Sequence, residues 1–400
     1  MLKDYKNTVP PAVRISDKPS EKQPGLDYAL IVAVFILLTT GIVMVYSASS
    51  IVAAEDFGDA NFFLKRHLIR VALGLILFAV ALKIDYHFYQ KISKIGLFFA
   101  IGLLLYVLIA DAVSIKGATR WISVGGFTFQ PSVFAQFALI FYMAEALVRK
   151  QDKLDDFFDG YLPLLIILCI VSVLILLEPD FSTTVIVTLL VFMMFFLGRV
   201  RIKHLAATCV AALPFFALAI ATAPYRIKRL LSFLNPDADP SGSGYQLIQS
   251  KISLGNGGFL GVGIGHSKQK LHYLPEPFTD FIYAILGEEL GFIGAIFVLF
   301  LFLIILWRGL TIAMNTSELY GKLVAAGITL SIVLTAFVNA GVVSGVLPTT
   351  GVPMPFISYG GTSLILTLTA IGVLLNISKS QTKNRNCKLI ERYIRCGLEK

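Results

Sequence analysis

Two acidic motifs and the basic residues around them carry the reactive side chains of this chain. Glu178-Pro179-Asp180 sets two carboxylates two residues apart at the edge of an apolar run. Carboxylates at membrane depth are costly unless they face a cavity or a partner. Asp180 also precedes Ser182-Thr183-Thr184, where it suits the N-terminal end of a following helix. Asp280 closes Leu274-Pro275-Glu276-Pro277-Phe278-Thr279-Asp280 at the mouth of another apolar run. It is either a helix cap or a base fixed at a helix end, and residue types alone leave the two readings even. Glu288 and Glu289, two turns further on, also want partners.

Cations flank these acids. Lys116-Gly117-Ala118-Thr119-Arg120-Trp121-Ile122 is followed by Gln130-Pro131-Ser132. On residue types, an aromatic anchor beside a snorkelling arginine is the commoner arrangement. The alternative is a cationic wall for an anionic headgroup, since arginine contacts phosphate bidentately. A stretch over 223–280 opens with Tyr225-Arg226-Ile227-Lys228-Arg229 and continues through Lys251, a glycine-rich run from Gly255 to Gly265, His266, Lys268 and Lys270. It has the cations for pyrophosphate and the glycines for close backbone approach. The run is neither a Walker nor a dinucleotide fingerprint, because no Gly-Lys-Ser/Thr ending follows and no strand precedes it. Finally, 345–363 holds three prolines and four glycines among apolar residues before Ser363. Irregular backbone of that kind survives at membrane depth only where protein buries it or it lines a cavity.

The elements that must hold these groups are membrane helices. The 400 residues are 56% hydrophobic and 15% charged, with a mean hydropathy of +0.78, against about 25% charged in ordinary soluble domains. That excludes a soluble enzyme. Ten apolar runs are long enough to cross a bilayer. They begin near Asp27, Arg66, Ile95, Pro131, Tyr161, Ser182, Leu205, Phe281, Gly321 and Gly360, and end near Ser49, Lys83, Ala112, Val148, Leu177, Gly198, Thr222, Leu306, Ala340 and Ser378. With the N-terminus inside, 23 of the 34 Lys and Arg are cytoplasmic and five lie in short outer segments. The positive-inside rule therefore places both termini in the cytoplasm.

The predicted fold is an all-α polytopic membrane protein of about ten transmembrane helices, with one long extracytoplasmic loop (223–280) before the eighth helix. Residues 1–26 read as a disordered cytoplasmic tail, 27–378 as the membrane domain and 379–400 as a basic cytoplasmic tail. Most of the net charge of +9 is orientation charge, so it does not argue for nucleic acid. Cys169, Cys209, Cys387 and Cys396 show no metal or disulfide spacing.

Taken in order, the motifs are similar to those of a known family. Asn339, Gly345-Val346-Leu347-Pro348, Gly351 and Pro355-Phe356-Ile357-Ser358-Tyr359-Gly360-Gly361-Thr362-Ser363 resemble the signature of the SEDS family, the FtsW, RodA and SpoVE proteins of bacterial division, elongation and sporulation. The resemblance spans roughly Asp27 to Ile377 and takes in the Arg120, Gln130, Glu178–Asp180 and 275–291 motifs. Asn235-Pro236 through Tyr245-Gln246, and 265–270, look more like FtsW and SpoVE than RodA.

The resemblance implies a glycosyltransferase of the bacterial plasma (inner) membrane. Such an enzyme polymerises lipid II into peptidoglycan strands beside a class B penicillin-binding transpeptidase and other divisome or elongasome proteins. Asp280 then falls on the catalytic acid, as general base on the acceptor sugar hydroxyl while undecaprenyl pyrophosphate leaves. Arg120, Arg226, Lys251 and Lys268 are the cations for the departing diphosphate, and Trp121, Gln130, Asp180 and Ser358 fall in motifs that wall the family's cavity. No cluster demands an all-protein metal cage, although Mg or Mn riding on the pyrophosphate is compatible.

The chain departs from the family at three positions, one of them Ser182, where glycine is frequent. Val133 and Gln136 stand where Glu and Lys are usual, removing the lysine expected to pair with Asp180. These departures make a non-catalytic divisome scaffold one competing reading, and ten helices with intramembrane acids make a lipid II flippase or transporter another.

Overall fold

The computed structural model describes residues 26–398, apart from 110–112, 116–117, 125–126, 240–241, 243 and 276. The expected N-terminal tail lies outside the described residues. Each of the ten apolar runs is a helix. In chain order these are α1 (Tyr28–Phe57), α2 (Phe62–Lys83), α3 (Tyr86–Ile109), α4 (Pro131–Arg149), α5 (Leu162–Leu177), α6 (Phe181–Leu197) and α7 (Ile202–Ala221). After two shorter helices, α8 (Pro224–Leu234) and α9 (Tyr245–Gly257), come α10 (Ile282–Asn315), α11 (Leu319–Val343) and α12 (Thr362–Leu398). Among the described residues, eight helices are long and apolar enough to cross a membrane. α2 carries Lys65, Arg66, Arg70 and Lys83, and α6 has only 17 residues.

Two features differ from expectation. Between α3 and α4 lies a small antiparallel sheet, β1 (Val113–Ile115), β2 (Ala118–Val124) and β3 (Phe127–Phe129), in the order β1-β2-β3. Helix periodicity cannot reveal so short a meander, whose register pairs Val113 with Trp121 and Ile122 with Phe129. The segment expected as one long loop is helical over α8 and α9, and Pro224 at the first turn of α8 is the residue that signals it.

Burial grades the bundle. About two-thirds or more of the most apolar stretch of α4, α11 and α12 is buried in protein, against 6% for α7. The centre is thus built from α4, α11 and α12, and α7 stands at the periphery with its apolar surface turned outward. One end of the bundle is tied by Asp27, which caps α1 at Leu30 N (3.1 Å) and pairs with Arg308 at 2.8 Å. Glu318 accepts from Tyr86 at that same end (2.9 Å). The opposite end carries Glu55 against His272 (2.5 Å) and the polar motifs described below.

Glycine does specific work at two places. Gly291 breaks α10 with φ +68°, and a Cβ there would collide with the backbone of Gly261. Through that break the glycine-rich run docks edge-on, with Val262 N donating to Glu288 O and Gly263 N to Glu289 O (both 3.0 Å), and Phe292 N to Gly258 O (2.9 Å). Close backbone approach was expected of these glycines, but its target is α10. Gly41 in α1 likewise lets the irregular 345–361 segment settle onto the bundle, since a Cβ would strike the Phe356 carbonyl. Its 354–358 stretch is buried by protein, whereas Val346, Leu347 and Gly351 are exposed.

Candidate active site

β2 delivers Arg120 to the turn between α5 and α6. Its Nε donates to the Glu178 carbonyl (2.9 Å), Nη2 donates to the Pro179 carbonyl, and Nη1 lies 3.8 Å from the Asp180 carboxylate. The last carbonyls of a helix lack intrahelical partners. Here three side chains collect them, because Tyr225 OH also donates to Pro179 O (3.0 Å) and Arg226 Nη2 to Leu176 O (3.4 Å). Successive strand residues point to opposite faces, so Trp121 faces away from Arg120.

Asp180 is 4% exposed and serves as the N-cap of α6. It accepts from Thr183 N (3.2 Å), Thr183 Oγ1 (2.8 Å) and Gln130 Nε2 (3.2 Å). The family's lysine is thereby replaced: Arg120, Gln130 and Thr183 hold the carboxylate, while Gln136 donates instead to Ser331 (2.8 Å). Val133 and Gln136 line a small cavity of about 40 Å³ together with Gln130, Thr183, Thr335 and Gly351.

Asp280 stands across Gly351 from that cavity; a Cβ on Gly351 would lie 3.6 Å from its Oδ2. Phe281 occupies the cap position of α10, and Asp280 stands immediately before it. Asn339 holds the Asp280 segment in place, its amide donating to both Asp280 O and Val352 O at 2.8 Å. This staple fixes the height of Asp280 against the irregular segment.

Arg229 joins the two halves, and the sequence reading passed over it. Its Nη1 donates to Thr349 O (3.4 Å). Burial lowers its pKa and the Arg120 charge adds to this, while Tyr225, Asp280 and Asp180 act in the opposite sense. All four groups are thus within electrostatic range of the Arg229 guanidinium. The signal was available: in a helix, Arg226 and Arg229 at i and i+3 share a face.

The remaining expected residues divide. Arg226 is a brace, donating to Ala219 O (2.5 Å) and Leu176 O and lying 5.5 Å from the Phe181 ring. Ser358 is buried and closes a turn by accepting from Met354 N (2.8 Å). Lys251, exposed on α9, lies over Gly345. Lys268 belongs to a separate buried knot. There Glu288 accepts from Ser253 Oγ (3.1 Å), Ser267 Oγ, Lys268 N (3.2 Å) and Gln269 N (3.4 Å), and Glu289 takes Ser47 (2.6 Å) and Lys270 (3.4 Å). The structure therefore gathers Arg120, Gln130, Asp180, Arg229 and Asp280, and leaves Trp121, Arg226, Lys251, Lys268 and Ser358 in other work. Among the described residues no group of three His, Cys, Asp or Glu side chains is placed to hold a metal.

Glu178 makes a testable contribution. Its side chain is wholly buried and neither oxygen has a hydrogen-bond partner. Burial first, then the Asp180 charge, push its pKa up to about 8 against the pull of Arg120, so it is protonated at neutral pH. Unfolded, the carboxyl ionises near its ordinary value of 4.5. Folding therefore takes up a proton, and stability falls as pH rises from about 4.5 to about 8. Glu178→Gln should abolish that decline, by an amount on the order of a few kcal/mol at pH 8. Thermal unfolding in detergent from pH 5 to 8 checks it: a parallel decline in wild type and variant would contradict the assignment.

Comparison with known proteins decides the family. Residues 28–383 match the model of the FtsW, RodA and SpoVE cell cycle proteins. The chain belongs to this SEDS family. It is 43% identical to stage V sporulation protein E of Bacillus subtilis over 359 residues, covering 90% of this chain and 98% of the relative. It is also 43% identical to the probable peptidoglycan glycosyltransferase FtsW of Trichlorobacter lovleyi, over 88% and 93%. A chain from a peptidoglycan synthase complex that coordinates polymerization and crosslinking superposes with a TM-score of 0.74 at 28% identity, covering 89% of this chain and 98% of that one. The rod shape determining protein RodA of Thermus thermophilus shares the fold at TM-score 0.66 and 24% identity, over 89% and 97%. The SpoVE and FtsW likeness agrees with the motif reading, and a multi-pass SEDS membrane protein is what the helices build.

Proposed function

We propose that this SEDS protein is a peptidoglycan glycosyltransferase that polymerises lipid II at the outer face of the bacterial plasma membrane. The observation that carries the reading is Asp280, stapled by Asn339 at the end of α10, its carboxylate beside Gly351 on the cavity wall and within electrostatic range of Arg229. The Asp280 carboxylate takes the proton of the acceptor sugar hydroxyl. That oxygen attacks the anomeric carbon of the donor, the bond to the diphosphate breaks, and undecaprenyl pyrophosphate leaves with the electron pair. A base must sit at the reacting hydroxyl, and fixed cations must meet the charge that develops on the leaving group; in this reading Arg229 and Arg120 supply it. The likeness to a chain of a peptidoglycan synthase complex supports a class B transpeptidase as partner. Purified protein in nanodiscs with such a transpeptidase should convert lipid II into glycan strands resolved by gel electrophoresis. Persistent failure to lengthen strands in the presence of the partner would refute the reading.

A further inference from the structure

α2 carries a basic pair for which the proposed reaction has given no part. His67 and Arg70 lie one turn apart on the same face of the helix, buried at 0% and 6% exposure. Neither ring nitrogen of His67 has a hydrogen-bond partner. Among the described residues Arg70 has no carboxylate partner, and its guanidinium lies over the Tyr359 ring, 4.4 Å from the centroid. His67 flanks the same ring at 6.0 Å. A guanidinium stays charged at any physiological pH, and buried charges are ordinarily paired or bound to a ligand. Arg120 and Arg226, by contrast, commit their donors to carbonyls.

Gly361 packs its backbone, without a side chain, against Arg70. A Cβ on Gly361 would come 3.5 Å from Arg70 Nε and 3.2 Å from the Thr128 carbonyl, and the rim 359–361 is only partly buried. The next residue, Thr362, donates to Thr128 O (3.2 Å) and accepts from Gln130 N (2.9 Å), and Gln130 reaches Asp180. Arg70 thus stands at the α2 end of a polar rail whose other end is Asp180 and Arg120.

We infer that Arg70 and His67 form a second anion subsite, which takes the diphosphate of a lipid-linked sugar. The inference rests on the proposed reaction, in which two lipid diphosphates meet. In that reading Arg120 and Arg229 supply the charge for the one that leaves; the other lipid keeps its diphosphate and needs its own countercharge. An arginine with its fork of donors uncommitted supplies a bidentate contact, and His67 adds a ring N–H beside it.

Binding, rather than turnover, tests this. The full chain in nanodiscs is titrated with undecaprenyl pyrophosphate and with undecaprenol, as wild type, Arg70→Gln and Arg70→Lys. Arg70→Gln should weaken undecaprenyl pyrophosphate about tenfold, the scale of a lost charge-assisted contact, and leave undecaprenol unchanged. Arg70→Lys should fall between, and it carries the test if the glutamine variant does not fold. Equal affinity of wild type and Arg70→Gln for undecaprenyl pyrophosphate overturns the subsite, and competition by inorganic pyrophosphate at equal potency overturns its assignment to a lipid. Arg70-dependent binding in a protein that makes no strands would uphold the subsite while refuting the polymerase.

Discussion

Asp280→Asn is expected to lower glycan-strand synthesis by about 10²–10⁴-fold, the usual contribution of a positioned general base, while the protein folds and reaches the membrane normally. The substitution is nearly isosteric. It leaves the Asn339 staple intact, because that bond goes to the Asp280 backbone carbonyl. What it removes is the acceptor for the sugar hydroxyl proton, together with the negative charge that Arg229 feels. Strand synthesis from lipid II, measured on protein of matched thermal stability, gives the result. The same variant separates the enzyme from a scaffold of the same fold. In a depletion strain, a scaffold carrying Asp280→Asn would still support division, whereas a polymerase carrying it would not. Full activity in the variant would remove Asp280 from the chemistry and leave the family assignment untouched.

Arg120→Ala is expected to cost about 3 kcal/mol of stability and most of the activity. The pair it breaks is buried on the Asp180 side, at 4% exposure, and removing one partner of a buried pair typically costs about 3–5 kcal/mol. The 3.8 Å separation from Asp180 and the remaining help of Gln130 and Thr183 argue for the low end. Two carbonyls of the 178–179 turn lose their donor as well. That turn sets the start of α6 and with it Thr183 on the cavity wall. Arg120→Lys should recover the charge but not the fork, since an ammonium cannot serve both carbonyls and the carboxylate from one plane. Combining Arg120→Ala with Asp180→Asn should be milder than the sum of the two, because no uncompensated charge is left. Thermal unfolding of the four proteins measures this coupling, and strict additivity would show that the pair contributes nothing.

Much of this site was legible in one dimension. Asp180 was recognisable as a helix-start residue because Ser182-Thr183-Thr184 follow it, and it is the α6 cap. The irregular backbone of 345–361 was marked by prolines and glycines that no helix tolerates. The loss of the family lysine at Gln136 was equally plain. Its consequence was not, since the answer is a hydrogen bond from α4 to Ser331 on α11, nearly two hundred residues away. The basic residues were the least readable. Arg120, Arg226, Lys251 and Lys268 have the same formal qualification for binding phosphate. In the fold one grips a turn, one braces helix ends, one lies over Gly345 and one adjoins a buried knot around Glu288.

Apolar run length and the distribution of Lys and Arg determined by themselves that this is a multi-helix membrane protein with its polar motifs toward one end. Those are properties of composition and period, and the bilayer reads them locally. Which polar residues meet was decided only by the tertiary structure. Meeting depends on where Gly41 and Gly291 let backbones approach and on Asn339 reaching two loops at once. It depends as well on a short sheet that turns Arg120 inward and Trp121 away. Such contacts join residues far apart in the chain, and their geometry follows from packing, which no local pattern encodes.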